Sequence, residues 1–345
     1  MDFEKYGQYI LEETAALLAI DSPSGFTHEA AEHVMQRFGA LGYACELTRK
    51  DGVIIDLGGK NKEDAILLEV HMDTLGGMVA QIKPSGRLKI TPVGGLRAEN
   101  VETENCRVIT KFDGVVEGTA QLENASVHVN GKYGEISRTF DTIEIVLDEP
   151  VKSADDVRNL GIRVGDYVCF DPRTRITKSG YIKSRFLDDK LSVGIVMAYA
   201  KYLKEENVCP DRAVYVHVTS YEEVGHGGCT NVPDGVTEAL VVDMGCVGEG
   251  LECTERMVSI CAKDSGGPYN EHVTRALIEA AEKTGAFYAV DIYPYYGSDV
   301  EATLRAGHDL RHGLIGSGVY ASHGYERSHI DGVISTLKVL VGHIG

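Results

Sequence analysis

The sequence predicts an α/β protein interrupted by an inserted β-rich module. Three observations carry this reading: strand and helix patterns alternate at both ends of the chain, helical periodicity nearly vanishes from about residue 76 to 176, and that middle stretch is cut by PSG, DG and NG turns. Residues 1–75 open with an amphipathic helix, and the DSPSGFT turn at 21–27 leads into a second one. YACELTRKDGVIIDLGG then reads as a hairpin around Asp51 and Gly52, and AILLEV as a buried strand. In the middle, short alternating runs such as RLKITPV, CRVITKF and TIEIVLD predict a compact β-barrel or sandwich, with one short helix at 152–161. After residue 188 the alternation resumes, with helices near 189–205, 269–285 and 331–343. Strands are expected near 212–219, 238–243, 257–262, 286–293 and 313–316. The expected organisation is one discontinuous α/β domain, 1–75 with 177–345, and an insert at 76–176.

Composition limits what such a chain can do. Its 345 residues are 43% hydrophobic and 25% charged, enough for a sizeable core. The net charge of −18 argues against nucleic acid or an anionic membrane as partner, since both select clustered Lys and Arg. No run approaches the roughly 18 apolar residues that span a bilayer. The acidic opening lacks a basic leader, so the chain reads as cytoplasmic. Eight cysteines are scattered without a CxxC pair, which suits reduced, buried thiols.

The informative polar residues stand where apolar runs stop. TSYEEVGHGG, 219–228, sets Glu222 and Glu223 side by side after the run RAVYVHV. Adjacent carboxylates forced together repel, and a cation nearby relieves them. AILLEV runs into His71 and Asp73, SRFLDDKLSVG presents Asp188 and Asp189 at a helix start, and in ALVVDMG Asp243 ends another apolar run. YASHGYERSH offers His323 and His329 in a turn before the last helix. Singly, each reads as a hydrogen-bonded structural residue or, for the Asp pair, as a helix cap. Together they form a mixed nitrogen and oxygen donor set suited to two borderline divalent ions such as zinc or cobalt. No P-loop and no GxSxG elbow is present.

The ordered segments VHMDTLGGMV, FLDDKLSVG, TSYEEVGHGG, VVDMG and SHGYERSH resemble the M42 family of metallo-aminopeptidases, the glutamyl, tetrahedral and deblocking group, along essentially the whole chain. The resemblance implies a mixed-sheet catalytic domain with an inserted small barrel used for dimerisation. It implies two divalent metal ions per subunit: His71 and Asp243 hold one, Glu223 and His323 the other, and Asp188 bridges them. Glu222 is the implied general base and acid, acting on a water between the ions, and Asp73 orients His71. The implied substrates are short peptides cut at the N-terminal residue, and the implied partner is the chain itself, from dimer to dodecamer. Lys190, where the family often has Arg, and Tyr221, where it often has Gln, bear on substrate preference, and the departure of SHGYERSH from the family's YxHSPxE pattern leaves the choice of His323 over His329 open. Ser298 and Asp299 are read as shaping the substrate site or as a plain helix start. Related chemistries remain as alternatives. A deacylase or carboxypeptidase of similar ligand set usually carries its insert after the glutamates. A glycosidase needs carboxylates that flank one bond, which adjacent glutamates do poorly.

Overall fold

A strand that reads as an unbroken apolar run must be covered on both faces. The segment Asn61–His71 meets this condition, since every residue from Ala65 to His71 is buried. The computed structural model describes residues 3–345 and divides the chain into two compact units, one built from the segments up to Asp73 and from Arg173 onward, the other from Thr74–Pro172.

Chain order begins α1 (Glu4–Leu18), α2 (His28–Ala40), β1 (Cys45–Leu47), β2 (Val53–Gly58) and β3 (Asn61–His71). The smaller unit contributes β4 (Gly76–Ile82), β5 (Leu88–Val93), β6 (Asn105–Ile109), β7 (Val115–Leu122), β8 (Ile143–Leu147), α3 (Ala154–Asn159) and β9 (Tyr167–Phe170). Then come β10 (Arg175–Ile176), β11 (Tyr181–Ser184), α4 (Leu187–Glu205), β12 (Arg212–Thr219), β13 (Val236–Val242), β14 (Gly245–Val247) and β15 (Val258–Lys263). The chain finishes with α5 (Glu271–Thr284), β16 (Tyr288–Ile292), α6 (Asp299–Arg305), β17 (Arg311–Tyr320), β18 (Glu326–His329) and α7 (Ile330–Ile344).

The larger unit is built on a twelve-stranded mixed sheet whose main path runs β1-β2-β12-β3-β13-β17-β18-β11-β10. Its centre is parallel: β12 pairs β3, β3 pairs β13, and β13 pairs β17, all in one direction. The carboxyl ends of β12, β3 and β13 therefore lie at one edge, with Thr219 directly opposite His71. That edge is where open α/β sheets collect ligands. Part of the core is Leu67, Val241, Tyr293, Val300 and Leu314, from β3, β13, the loop after β16, α6 and β17. No helix among the described residues is long and apolar enough to cross a membrane.

The smaller unit is a closed antiparallel barrel, β4-β5-β8-β7-β6-β9. Closure comes from β9, which pairs both β6 and β4. Its one α-helix starts at Ser153, whose hydroxyl accepts the Asp156 N–H at 3.2 Å as an N-cap.

Several elements differ from the sequence expectation, among them β14, which was not expected, and β18, a strand where the sequence suggested a turn. The run GLIGSGVY suggested a strand ending at 316, because glycines interrupt it, whereas β17 continues to Tyr320. The glycine at 316 permits close approach: a Cβ there would sit 1.5 Å from the Asp243 carbonyl oxygen. Helix α6, only seven residues long, carries too little periodicity to be read along its length, although its start at Ser298 and Asp299 was one of the two sequence readings. Replacing Gly316 with alanine is expected to destabilise the protein by about 3 kcal/mol in urea denaturation, since backbone rather than a pliable side chain must move. Gly131→Ala, which meets open space, is the control and should stay within about 0.5 kcal/mol.

Candidate metal centre

The carboxyl-end edge of the sheet gathers the residues singled out in the sequence. His71 is the last residue of β3 and is buried; its Nδ1 lies 3.0 Å from the Asp73 carbonyl and 3.7 Å from an Asp73 carboxylate oxygen. Its Nε2 faces Asp188 Oδ1 at 3.0 Å and Glu222 Oε2 at 3.6 Å. The other oxygen of Asp188 lies 3.4 Å from His323 Nε2, and that same nitrogen is 3.7 Å from Glu223 Oε2. One carboxylate thus stands between two imidazoles. Asp243 groups with His71 and Asp189, and His71 also groups with Asp188 and Glu223, each set with its donor atoms within 4.8 Å of one another.

His329 lies apart from this cluster. Its Nδ1 accepts the Asp331 N–H at 3.1 Å, which caps α7, and its Nε2 faces the Ser179 carbonyl at 2.8 Å.

Several supporting residues gave little sequence signal. Ser24, in the DSPSG turn, donates its hydroxyl to Asp73, whose other carboxylate oxygen accepts the Glu222 N–H at 3.1 Å. Glu326 accepts the N–H of Asp188 at 3.1 Å and of His323 at 2.9 Å, fixing both with one side chain. Asp189 accepts the His71 N–H at 3.3 Å. The acid inside AILLEV was the visible clue to Glu69, which is fully buried behind the cluster.

Strand β12 stops abruptly, which lets two consecutive glutamates serve one site. Glu222 to Val224 form a single 3₁₀ turn bracketed by left-handed residues, Tyr221 at φ 68° and Gly225 at φ 85°. The turn is gripped from α6. Asp299 accepts the Gly228 N–H at 2.6 Å and also the Thr219 hydroxyl. The Thr303 hydroxyl lies 2.8 Å from the Gly228 carbonyl and 2.7 Å from Glu69 Oε1. A Cβ at position 228 would come within 2.5 Å of both Thr303 Oγ1 and the Asp299 carbonyl, so the turn nests here only as glycine. Ser298 occupies the N-cap position but makes no side-chain cap; its hydroxyl faces the Tyr269 hydroxyl at 3.1 Å.

Electrostatically, the chain by itself neutralises this cluster with protons. Burial, with mutual repulsion added, pushes the carboxyls of Glu222, Glu223 and Asp189 well above the usual range and Asp243 to about 7. Asp188 goes the other way: burial favours its neutral form, but the His323 and His71 imidazoles outweigh that and hold it below the usual carboxylate range. Burial likewise disfavours charge on those imidazoles, yet Glu222 and Asp188 drive His71 well above its ordinary value, and Asp188 drives His323 to about 10. Two oxygens in the cluster, Asp189 Oδ1 and Glu223 Oε1, are buried with no hydrogen-bond partner. Buried acceptors without donors are costly, and a cation is the partner that satisfies them. Imidazole with carboxylate oxygen is a donor set that fits zinc or a similar divalent ion.

Known proteins resemble this chain along most of its length. A family profile described as M42 glutamyl aminopeptidase matches residues 51–339. The Bacillus subtilis protein YhfE, which carries a provisional aminopeptidase name, is 40% identical over 334 residues, covering 97% of this chain and 96% of its own. Among solved structures, a TET aminopeptidase from a marine sediment archaeon of the Thaumarchaeota superposes with a TM-score of 0.86 at 18% identity, covering 97% and 95% of the two chains. The Pyrococcus horikoshii TET1 peptidase, described as assembling into a tetrahedron or a large octahedral shell, gives 0.83 at 19% identity, covering 96% and 98%.

Metal uptake by the purified chain is expected to release protons and to tighten as pH rises from about 6 to about 8. The sign follows from Asp243: below its value of about 7 a cation must displace the carboxyl proton, and above it that carboxylate is already ionised. Zinc titration calorimetry in buffers of different ionisation enthalpy measures this; binding that is indifferent to pH would contradict it.

Proposed function

The chain belongs to the M42 peptidase family and is a metallo-aminopeptidase, and on that premise we propose that it releases single residues from the free N termini of short peptides with two divalent cations, zinc or cobalt. The observation that carries this reading is the Asp188 carboxylate with one imidazole at each of its oxygens, 3.0 and 3.4 Å away, an arrangement suited to a shared ligand. His71 and Asp243 would hold one ion, with Asp189 close enough to assist, and Glu223 and His323 the other. When bound, two such cations acidify a water and polarise a peptide carbonyl.

The remaining work belongs to side chains. Glu222 and Glu223 differ in depth: the Glu222 side chain is 15% exposed and the Glu223 side chain 4%. The more accessible carboxylate is the one that can meet substrate, so Glu222 takes a proton from the attacking water and returns it to the leaving amine. Its raised affinity for protons suits that exchange near neutral pH. Asp73 keeps Glu222 in place through the backbone N–H while the Asp73 carbonyl orients the His71 ring, so one residue sets both the base and a ligand.

Glu222→Gln is expected to keep its metal and lose turnover by about a hundredfold or more, the typical reach of positioned proton transfer. Glu223→Gln is expected to lose part of the metal content instead. Metal analysis beside release of free amino acid from a tripeptide distinguishes them, and identical behaviour of the two variants would overturn the division of roles. Internal cleavage without any freed amino acid would overturn the aminopeptidase reading.

The same proposal extends to assembly. The barrel unit, Thr74–Pro172, contains none of the residues assigned to the site and is the element expected to join subunits. Sedimentation is expected to show species at twice or twelve times 37.5 kDa. A fully active monomer would remove this part of the reading.

A further inference from the structure

A row of cations crosses three strands at the far end of the large sheet. In the β10–β11 pair Arg175 lies directly opposite Lys183, and in the β11–β18 pair Lys183 lies directly opposite Arg327. Like charges directly opposite one another in an antiparallel pair are unfavourable. Neither Arg175 nor Lys183 has an ion-pair partner among the described residues, in a chain with 52 acidic and 34 basic residues. Arg327 is bound on one side by Glu255 at 3.0 Å.

The flanking cations are held in place rather than left to wander. The Arg173 guanidinium lies over the Tyr325 ring at 4.6 Å, and the Tyr325 hydroxyl donates to the Arg173 carbonyl at 2.9 Å. The Arg327 guanidinium lies over the Tyr181 ring at 4.4 Å. Stacking of this kind preorganises planar forks that match carboxylates two atoms at a time. Beside the Arg173–Tyr325 stack is a cavity of about 570 Å³ lined by Arg173, Thr174, Arg175, Lys183 and Tyr325, with no carboxylate in its wall.

Strand alternation separates this face from the metal centre. Glu326 points inward, where it holds Asp188 and His323, whereas its neighbours Tyr325 and Arg327 are partly exposed on the other side. The cavity therefore lies on the opposite face of this strand from the metal centre.

We propose that this face is an anion subsite that binds carboxylates of acidic peptides, independently of the peptide's N terminus. Arg175 and Lys183 supply the open charge, and the tyrosine-stacked Arg173 supplies orientation. The inference draws on the peptidase reading only for the source of the carboxylates; the site itself is defined by charge and geometry.

The test uses the full-length, metal-loaded protein and N-terminally acetylated tetraglutamate, a probe with no free amine for the metal centre, against acetylated tetraglutamine. Tetraglutamate is expected to bind about tenfold or more tightly than tetraglutamine at low salt, weakening as salt rises. The double variant Arg175→Ala, Lys183→Ala is expected to lose that preference, Lys183→Gln to lose part of it, and both to cleave a neutral aminoacyl-anilide at the wild-type rate. Equal binding of the two peptides by the wild type, or undiminished preference in the double variant, overturns the proposal. If the wild type ignores tetraglutamate while the double variant changes sedimentation, the face is a contact between copies and the proposal also falls. Loss of anilide cleavage by the wild type would fault the peptidase reading and leave the binding result standing.

Discussion

Concentrated like charge, buried where a sheet ends, is the constraint from which the rest of the molecule follows. Asp188, Asp189, Glu222, Glu223 and Asp243 converge on two imidazoles at one edge of four parallel strands. Such a cluster cannot be held by its own attraction. It persists because the surrounding hydrophobic sheet, with β3 buried on both faces, contributes far more than the cluster costs. Protons and imidazolium neutralise it in the chain alone, and divalent cations do so without surrendering the carboxylates to protonation.

Holding repelling groups in one place requires that their backbones be tied from outside the cluster. Each tie comes from a different part of the chain. The DSPSG turn reaches Asp73 through Ser24, Asp73 reaches Glu222, Glu326 spans Asp188 and His323, and α6 secures the glycine turn behind the glutamates. Glu69 completes the last of these. Burial, then the charge of Asp299, raises its carboxyl to about 8, and its Oε1 accepts the Thr303 hydroxyl at 2.7 Å, the same hydroxyl that faces the Gly228 carbonyl at 2.8 Å. Lys190 shows the same economy of connection. Its buried ammonium donates to the carbonyls of Leu17 and Ile20, linking the end of α1 to the helix that begins with the Asp pair.

The sequence made some of this plain and hid the rest for identifiable reasons. Polar residues that break an apolar run are conspicuous, so His71, Glu222, Glu223 and Asp243 could be found at the ends of β3, β12 and β13. The α/β class was equally legible, because its strands are continuous apolar runs. Which histidine of SHGYERSH joins the cluster was not legible, since both lie in polar surroundings and only the fold separates a helix cap from a site residue. Barrel against sandwich was open for a similar reason. The pairing that closes the barrel, Gly77 with Val168 and Met78 with Tyr167, joins distant segments through backbone groups that carry no side-chain signature. Glycines at 316 and 318 interrupted the pattern of β17, although close packing rather than chain reversal is why they are there.

The strand order has a consequence for biosynthesis. β3 is flanked by β12 and β13, both of which come more than a hundred residues later in the chain. A growing polypeptide therefore exposes β3 with both edges unpaired throughout translation of the barrel unit and beyond. Until those later strands leave the ribosome nothing in the sheet can cover it on either edge, and unpaired apolar edges are what drive nascent chains to associate wrongly. Lys62, Glu63 and Asp64 at the start of β3 are charged residues of the kind that flank and protect such a strand.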